Sequence, residues 1–124
     1  MLAPIQDHMA YVVVVAHPNG PYIPERDVAD MDRKSIVEDI ACGELEDVLQ
    51  VIELNPVEGT SRAVTDDILS EAAFHILEST HYDDLNDWQR DFVAQHEPMS
   101  LHAHQINCCE EDAHRRSLMA GRAA

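Results

Sequence analysis

The chain has 124 residues, 45% of them apolar, and its 24 acidic side chains face only 8 basic ones, for a net charge of −16. That length accommodates one hydrophobic core and hardly two, and the apolar share argues against wholesale disorder. Such a field repels nucleic acid and anionic membrane and steers basic partners toward the surface, which disfavours direct DNA or RNA binding. The longest apolar run, Met9 to Ala16, is far short of the roughly 20 residues that span a bilayer. No cationic segment precedes it, so it does not read as a secretory signal. Cys42, Cys108 and Cys109 are an odd number with two adjacent, which is no disulfide framework and points to a reducing cytoplasm.

Residues 1–8 lack periodicity and read as a loose extension, with Met9 an alternative start. Tyr11 to Ala16 is β-branched and apolar on both faces, the pattern of a strand buried on both sides. His17 to Pro21 ends it in turn formers, and Tyr22 and Ile23 can begin a short returning edge between Pro21 and Pro24. A first helix is predicted from an N-cap at Asp30 or Asp32 to about Cys42, with Ile36, Val37, Ile40 and Ala41 on one face and Gly43 as its left-handed stop. Val48 to Leu54 reads as a second strand, followed by turn signals at Asn55-Pro56 and Glu58-Gly59. Thr65 is the predicted N-cap of the clearest helix, on which Ile68, Leu69, Ala72, Ala73, Ile76 and Leu77 form one stripe. A further helix is expected from about Leu85 to His96, with Leu85, Trp88, Phe92 and Val93 inward and Pro98 just beyond its end.

The reading is a small α/β or α+β domain over residues 9–97, ordered β-α-β-α-α, with a short two- or three-stranded sheet covered by helices. Strands paired through the intervening helix would run parallel. Two strands alone make a marginal sheet, so either the 22–29 segment or a second copy of the chain is expected to extend it, the latter giving a homodimer. The expected core is Val13, Val15, Ile36, Ile40, Val51, Ile52, Leu69, Ala73, Ile76, Trp88 and Phe92. Periodicity fades after Met99, and residues 98–124 read as a weakly ordered tail, with Ser100 to Ala124 either a tail or a weakly docked helix.

That tail holds His102, His104, Cys108 and His114, with His96 upstream. Imidazole and thiolate are good ligands for zinc, and His-x-His presents both rings when extended, but the spacing matches no usual zinc pattern. These four are weak metal candidates, and no cofactor is expected. Asp32-Arg33-Lys34 has the Asp-x-Lys spacing of one class of metal-dependent nucleases, yet it sits at a helix start, where capping and solvation are its commoner roles. Glycine-rich phosphate loops and Gly-x-Ser-x-Gly are absent from the sequence. His17 and His75 could be general bases, although each is more commonly a structural histidine. Binding, not catalysis, is the expected mode of action.

Acidic spacing is more suggestive. Asp67, Glu71 and Glu78 recur along one helix, and Asp84, Asp87 and Asp91 repeat an i, i+3, i+7 rhythm on the next. Four helical residues advance about 6 Å, comparable to the spacing of neighbouring phosphates on a strand. Like charges so placed cost a few tenths of a kcal/mol per pair, and Lys34 is the single lysine to relieve them. In size, acidity and lack of a catalytic motif the chain resembles, as a class, the phage-encoded inhibitors that mimic nucleic acid, anti-CRISPR and anti-restriction proteins among them. The resemblance lies in composition and covers no aligned segment. It implies a partner with a basic, nucleic-acid-binding surface and transfers no residue; the spacing and charge make those six acids the expected contact, with no direct contact to nucleic acid or membrane. A homo-oligomeric accessory protein is the alternative, and a metal-binding protein using the tail a third.

Overall fold

The computed structural model describes residues 9–123, so the expected extension at 1–8 lies outside the described residues. In chain order the elements are β1 (Ala10–Val15), α1 (Arg33–Ala41), β2 (Val48–Asn55), β3 (Thr60–Ala63), α2 (Thr65–Ser79), α3 (Asp87–His96) and α4 (Pro98–Ala123), with single 3₁₀ turns at Val28–Asp30 and Tyr82–Asp84. The fold is a small α+β domain: one three-stranded antiparallel sheet, ordered β1-β2-β3, with helices on one side. Among the described residues no helix is long and apolar enough to cross a membrane.

The strands are antiparallel, not parallel. After β1 the chain runs back along that strand's outer edge, where Val15 and Tyr22 exchange backbone hydrogen bonds and the Tyr11 N–H donates to the Met31 carbonyl. This return leaves α1 running alongside β1 in the same sense. Asp32 caps α1 by accepting the Ser35 N–H, and Gly43 (φ 86°) and Asp47 (φ 54°) turn the chain back beyond its end. The Ala16 N–H then donates to the Asp47 carbonyl, which starts β2 where β1 finished. The third strand is neither the 22–29 segment, which contributes one bridge at Tyr22, nor a second chain. It is β3, folded back by a turn in which the buried Asn55 side chain accepts the N–H groups of Val57 and Glu58.

The helices bury one face of the sheet. Tyr11, Val13, Val15 and Val51 are buried beneath them, together with Ile36, Ile40, Ile68, Ala72, Ala73, Ile76 and Val93. Val64, not Thr65, precedes α2; the Thr65 hydroxyl instead accepts the Val51 N–H at 3.0 Å and ties helix to strand. Ile52, Trp88 and Phe92, expected in the core, are only partly buried. For Ile52 the cause is the sheet's other face, where Val12, Val14 and Leu54 are likewise half-exposed. β1 is therefore covered on one side and occupies an edge of the sheet. The open face combines these four with Ala10, Gln50, Ser61 and Ala63, and none of the eight is charged.

Of the two expectations for the C-terminal segment, a tail or a weakly docked helix, the structure has a helix, α4. Pro98 suits the first helical position, where no N–H is needed. Leu101 packs against the core, Cys108 is buried, and His104 Nε2 lies 2.8 Å from the Thr80 carbonyl. These positions share one side of α4, a stripe too polar to announce itself by hydropathy.

Ile76 is 2% exposed within the α2 stripe. Ile76→Ala is expected to destabilise the protein by about 2–5 kcal/mol in urea unfolding, as aliphatic truncation in a packed core does. A midpoint unchanged from the parent would contradict the assignment of that stripe to the core.

Candidate functional site

Asp67, Glu71, Glu78, Asp84, Asp87 and Asp91 are all exposed. They do not form two regular helical ladders. Asn86 caps α3 through a reciprocal pair, its side chain accepting the Gln89 N–H at 2.8 Å while the Gln89 side chain accepts the Asn86 N–H at 2.9 Å. That capping box fixes the helix start, so Asp84 lies in the preceding 3₁₀ turn and only Asp87 and Asp91 stand on α3, one turn apart. The two sets also border different grooves. Glu71 and Glu78 line a cleft between α1 and α2 with Arg33, Lys34 and His75. There Glu71 accepts from Arg33 Nε at 2.7 Å.

Asp91 borders a groove of about 580 Å³ enclosed by the start of β2, the first turns of α2 and one side of α3. Its aromatic side is built by spacing: Trp88, Phe92 and His96 are successive i, i+4 neighbours and so project together. The Trp88 and Phe92 rings stack with centroids 5.3 Å apart at 23°, and the His96 ring lies 4.6 Å from Phe92. Leu45 and Leu49 face them across the groove, Leu49 being 52% exposed. Glu46, Asp47, Asp66 and Asp91 form its rim, and no lysine or arginine lines it among the described residues. The sequence reading placed Trp88 and Phe92 in the core; the sheet is too short to cover them, and they become the lining of a groove. Glu46, Asp47 and Asp66 were not singled out, because their convergence depends on the turn before β2 and on how α2 leaves β3.

Burial holds the His96 imidazole below its usual range, overriding Asp66 and Glu97, whose carboxylates favour the charged form. The ring is thus neutral at pH 7 and adds no cation to the groove. Elsewhere, burial and then the hydrogen bond to Glu53 push the Tyr11 phenol up, its hydroxyl donating to Glu53 Oε2 at 2.8 Å. Hydrogen bonds from Ser35 lower the Asp32 carboxyl, in keeping with capping and not catalysis in Asp32-Arg33-Lys34.

The weak metal candidates are largely separated. On a helix, residues two apart diverge by about 200°, so His102 is exposed away from the half-buried His104, and His114 is exposed further along. Only His104 and Cys108 meet, with Sγ 3.7 Å from Nε2. Two triplets not anticipated from sequence, His81/Asp83/Asp112 and Asp39/Cys42/Glu44, bring ligand atoms within 4.8 Å of one another. In each triplet one ligand is already engaged: His81 Nδ1 accepts the Asp83 N–H, and Asp39 pairs with Arg26. His17 is exposed, edge-on to Tyr22, and His75 is half-buried between α1 and α2.

Comparison with protein-family models, with curated proteins and with solved structures finds no match to this chain.

The depressed His96 gives a signed pH dependence. The unfolded chain binds its proton near pH 6.5, whereas the folded chain resists it. Stability from a neutral, partly buried ring is complete above pH 6.5 and is lost as pH falls below it toward the folded value. Thermal unfolding of the parent and of His96→Gln between pH 7.5 and about 5 should show the parent losing stability relative to the variant on acidification. A constant difference across that range would contradict the shift.

Proposed function

We propose that this chain is an acidic protein-binding module that inhibits or sequesters a nucleic-acid-binding protein by occupying its basic groove, acting by binding and not by catalysis. One observation carries the reading: of the six candidate acids, only Glu71 has an ion-pair partner among the described residues. Asp84, Asp87 and Asp91 stand free in a chain of net charge −16. A surface evolved for phosphates carries Lys and Arg at fixed positions, and carboxylates on a rigid helix satisfy them by charge-assisted hydrogen bonds. A reducing cytoplasm suits the module, whose three cysteines are all free thiols, two of them exposed. Binding of a basic, nucleic-acid-binding partner is expected to weaken as salt rises, because rim pairs are screened over roughly 10 Å at 0.1 M. It is also expected to compete with that partner's own DNA or RNA. Reversing Asp84, Asp87 and Asp91 together to lysine should abolish binding with the fold intact, since none of the three is buried. A folded triple variant with unchanged affinity and salt dependence would overturn the proposal.

The second reading, a homo-oligomeric accessory protein, is favoured by the uncharged sheet face. Two copies meeting there would cover Val12, Val14, Ile52 and Leu54 without bringing carboxylates together. Sheets stacked face to face lie about 10 Å apart. On this reading the protein sediments as a two-fold dimer at micromolar concentration, and Ile52→Asp sediments as a folded monomer. A parent that remains a 13.9 kDa species at high concentration removes it.

A further inference from the structure

The groove between β2, α2 and α3 has a chemistry that narrows the partner further than net charge does. Its aromatic side offers the stacked Trp88 and Phe92 rings and a neutral imidazole, while its rim offers four carboxylates and, among the described residues, no competing cation. Aromatic faces attract cations, and a planar guanidinium both stacks on a ring and presents a fork of donors to carboxylates. An ammonium is a strongly hydrated point charge that gains less from an apolar wall. A neutral or acidic ligand would leave Glu46, Asp47, Asp66 and Asp91 on the rim without a counter-charge. The partly covered Leu49 opposite the rings gives the aliphatic stem of a long side chain an apolar surface.

We infer that this groove seats an arginine side chain of a basic protein segment, with the guanidinium against Trp88 and Phe92 and its donors directed to Asp66 and Asp91. The inference rests on the proposed cation-binding function and adds where the partner is anchored and by which residue type. Asp91 belongs to both surfaces, whereas Asp66 belongs to the groove alone and Asp84 and Asp87 lie outside it.

Trp88 is the chain's single tryptophan, so its fluorescence reports the groove directly. The test titrates the full chain with a labelled nona-arginine peptide, following peptide anisotropy and Trp88 emission together, with nona-lysine as the comparison. The expected result is saturable binding with a matching change in Trp88 emission, tighter for arginine than for lysine. Asp66→Asn with Asp91→Asn should weaken it by roughly fivefold, in the range of two partly exposed charge pairs. Glu110→Gln with Glu111→Gln, exposed on α4 and outside both acidic sets, should change it by less than about twofold. Binding seen by anisotropy with unaltered Trp88 emission, or equal losses in the two double variants, overturns the groove while leaving a general acidic surface in place. Equal affinity and equal emission change for nona-lysine overturns the assignment to arginine. Absence of any anisotropy change at low salt overturns the groove and the cation-binding reading together.

Discussion

The buried stripe of α2 is the constraint on which the rest of the structure depends. Ile68, Leu69, Ala72, Ala73, Ile76 and Leu77 are all buried, and through them the helix meets the sheet, α1 and α3 at once. Ala72 and Ala73, both 0% exposed, keep the centre of the stripe narrow so that neighbouring backbones can approach. Larger side chains there would force the layers apart, and overpacking a filled core typically costs 1–3 kcal/mol. The Thr65 hydroxyl fixes the start of the helix to Val51, so strand and helix take a defined relation before the stripe begins. Everything later in the chain is placed by that helix: α3 docks on its side, and α4 reaches it through Leu101 and the contact of His104 with Thr80.

Burying one face of the sheet sorts the surface chemically. Acids are pushed to the outer sides of the helices and to the turns, while the uncovered sheet face keeps only neutral side chains. The described cations are spent largely inside this arrangement. Arg26 holds Asp39, Arg33 holds Glu71, Arg62 holds Glu53, and Arg90 lies over the Tyr82 ring at 5.0 Å. Three of them thus neutralise acids near α1 and β3, and although Arg90 sits close by over Tyr82, Asp84, Asp87 and Asp91 have no ion-pair partner among the described residues. Repulsion there opposes folding only weakly, since the charges are exposed and screened, but it remains fully available to an incoming cation.

Much of this was legible in the sequence where one local rule decided the outcome. The α2 stripe, the Asp32 cap, the Gly43 stop and the returning contact at Tyr22 each rest on a few adjacent residues. Features set by tertiary competition were not legible. Parallel pairing was expected because a helix separates β1 from β2, but the 22–31 return consumed the crossover. β3 was missed because Thr60-Ser61-Arg62-Ala63 has neither apolar alternation nor a buried residue, and its pairing comes from the Asn55 turn. α4 stayed open between a tail and a weakly docked helix because its docked side mixes Leu101, His104 and Cys108. For the site, the exposure of all six acids follows from the helical pattern, whereas the departure of Asp84 from α3 does not. Asn86 and Gln89 carried the signal for it: a residue that caps a helix three positions before a glutamine displaces everything upstream from the helical rhythm.

The different neighbours of the two acidic sets bear on how a partner could read them. On the α1 side, Glu71 and Glu78 share their cleft with Arg33 and Lys34, so an approaching arginine meets cations as well as acids and must displace an existing pair. On the α3 side, Asp91 shares its groove with three more carboxylates and no lysine or arginine among the described residues, and the nearby imidazole is held neutral by burial. The carboxylates without an ion-pair partner among the described residues are therefore concentrated on the α3 side, whereas on α2 Glu71 is already paired. A ladder of carboxylates counts toward recognition only where the fold has not already neutralised it. Here the internal arginines, more than the acids themselves, determine which face of the molecule keeps unpaired carboxylates among the described residues.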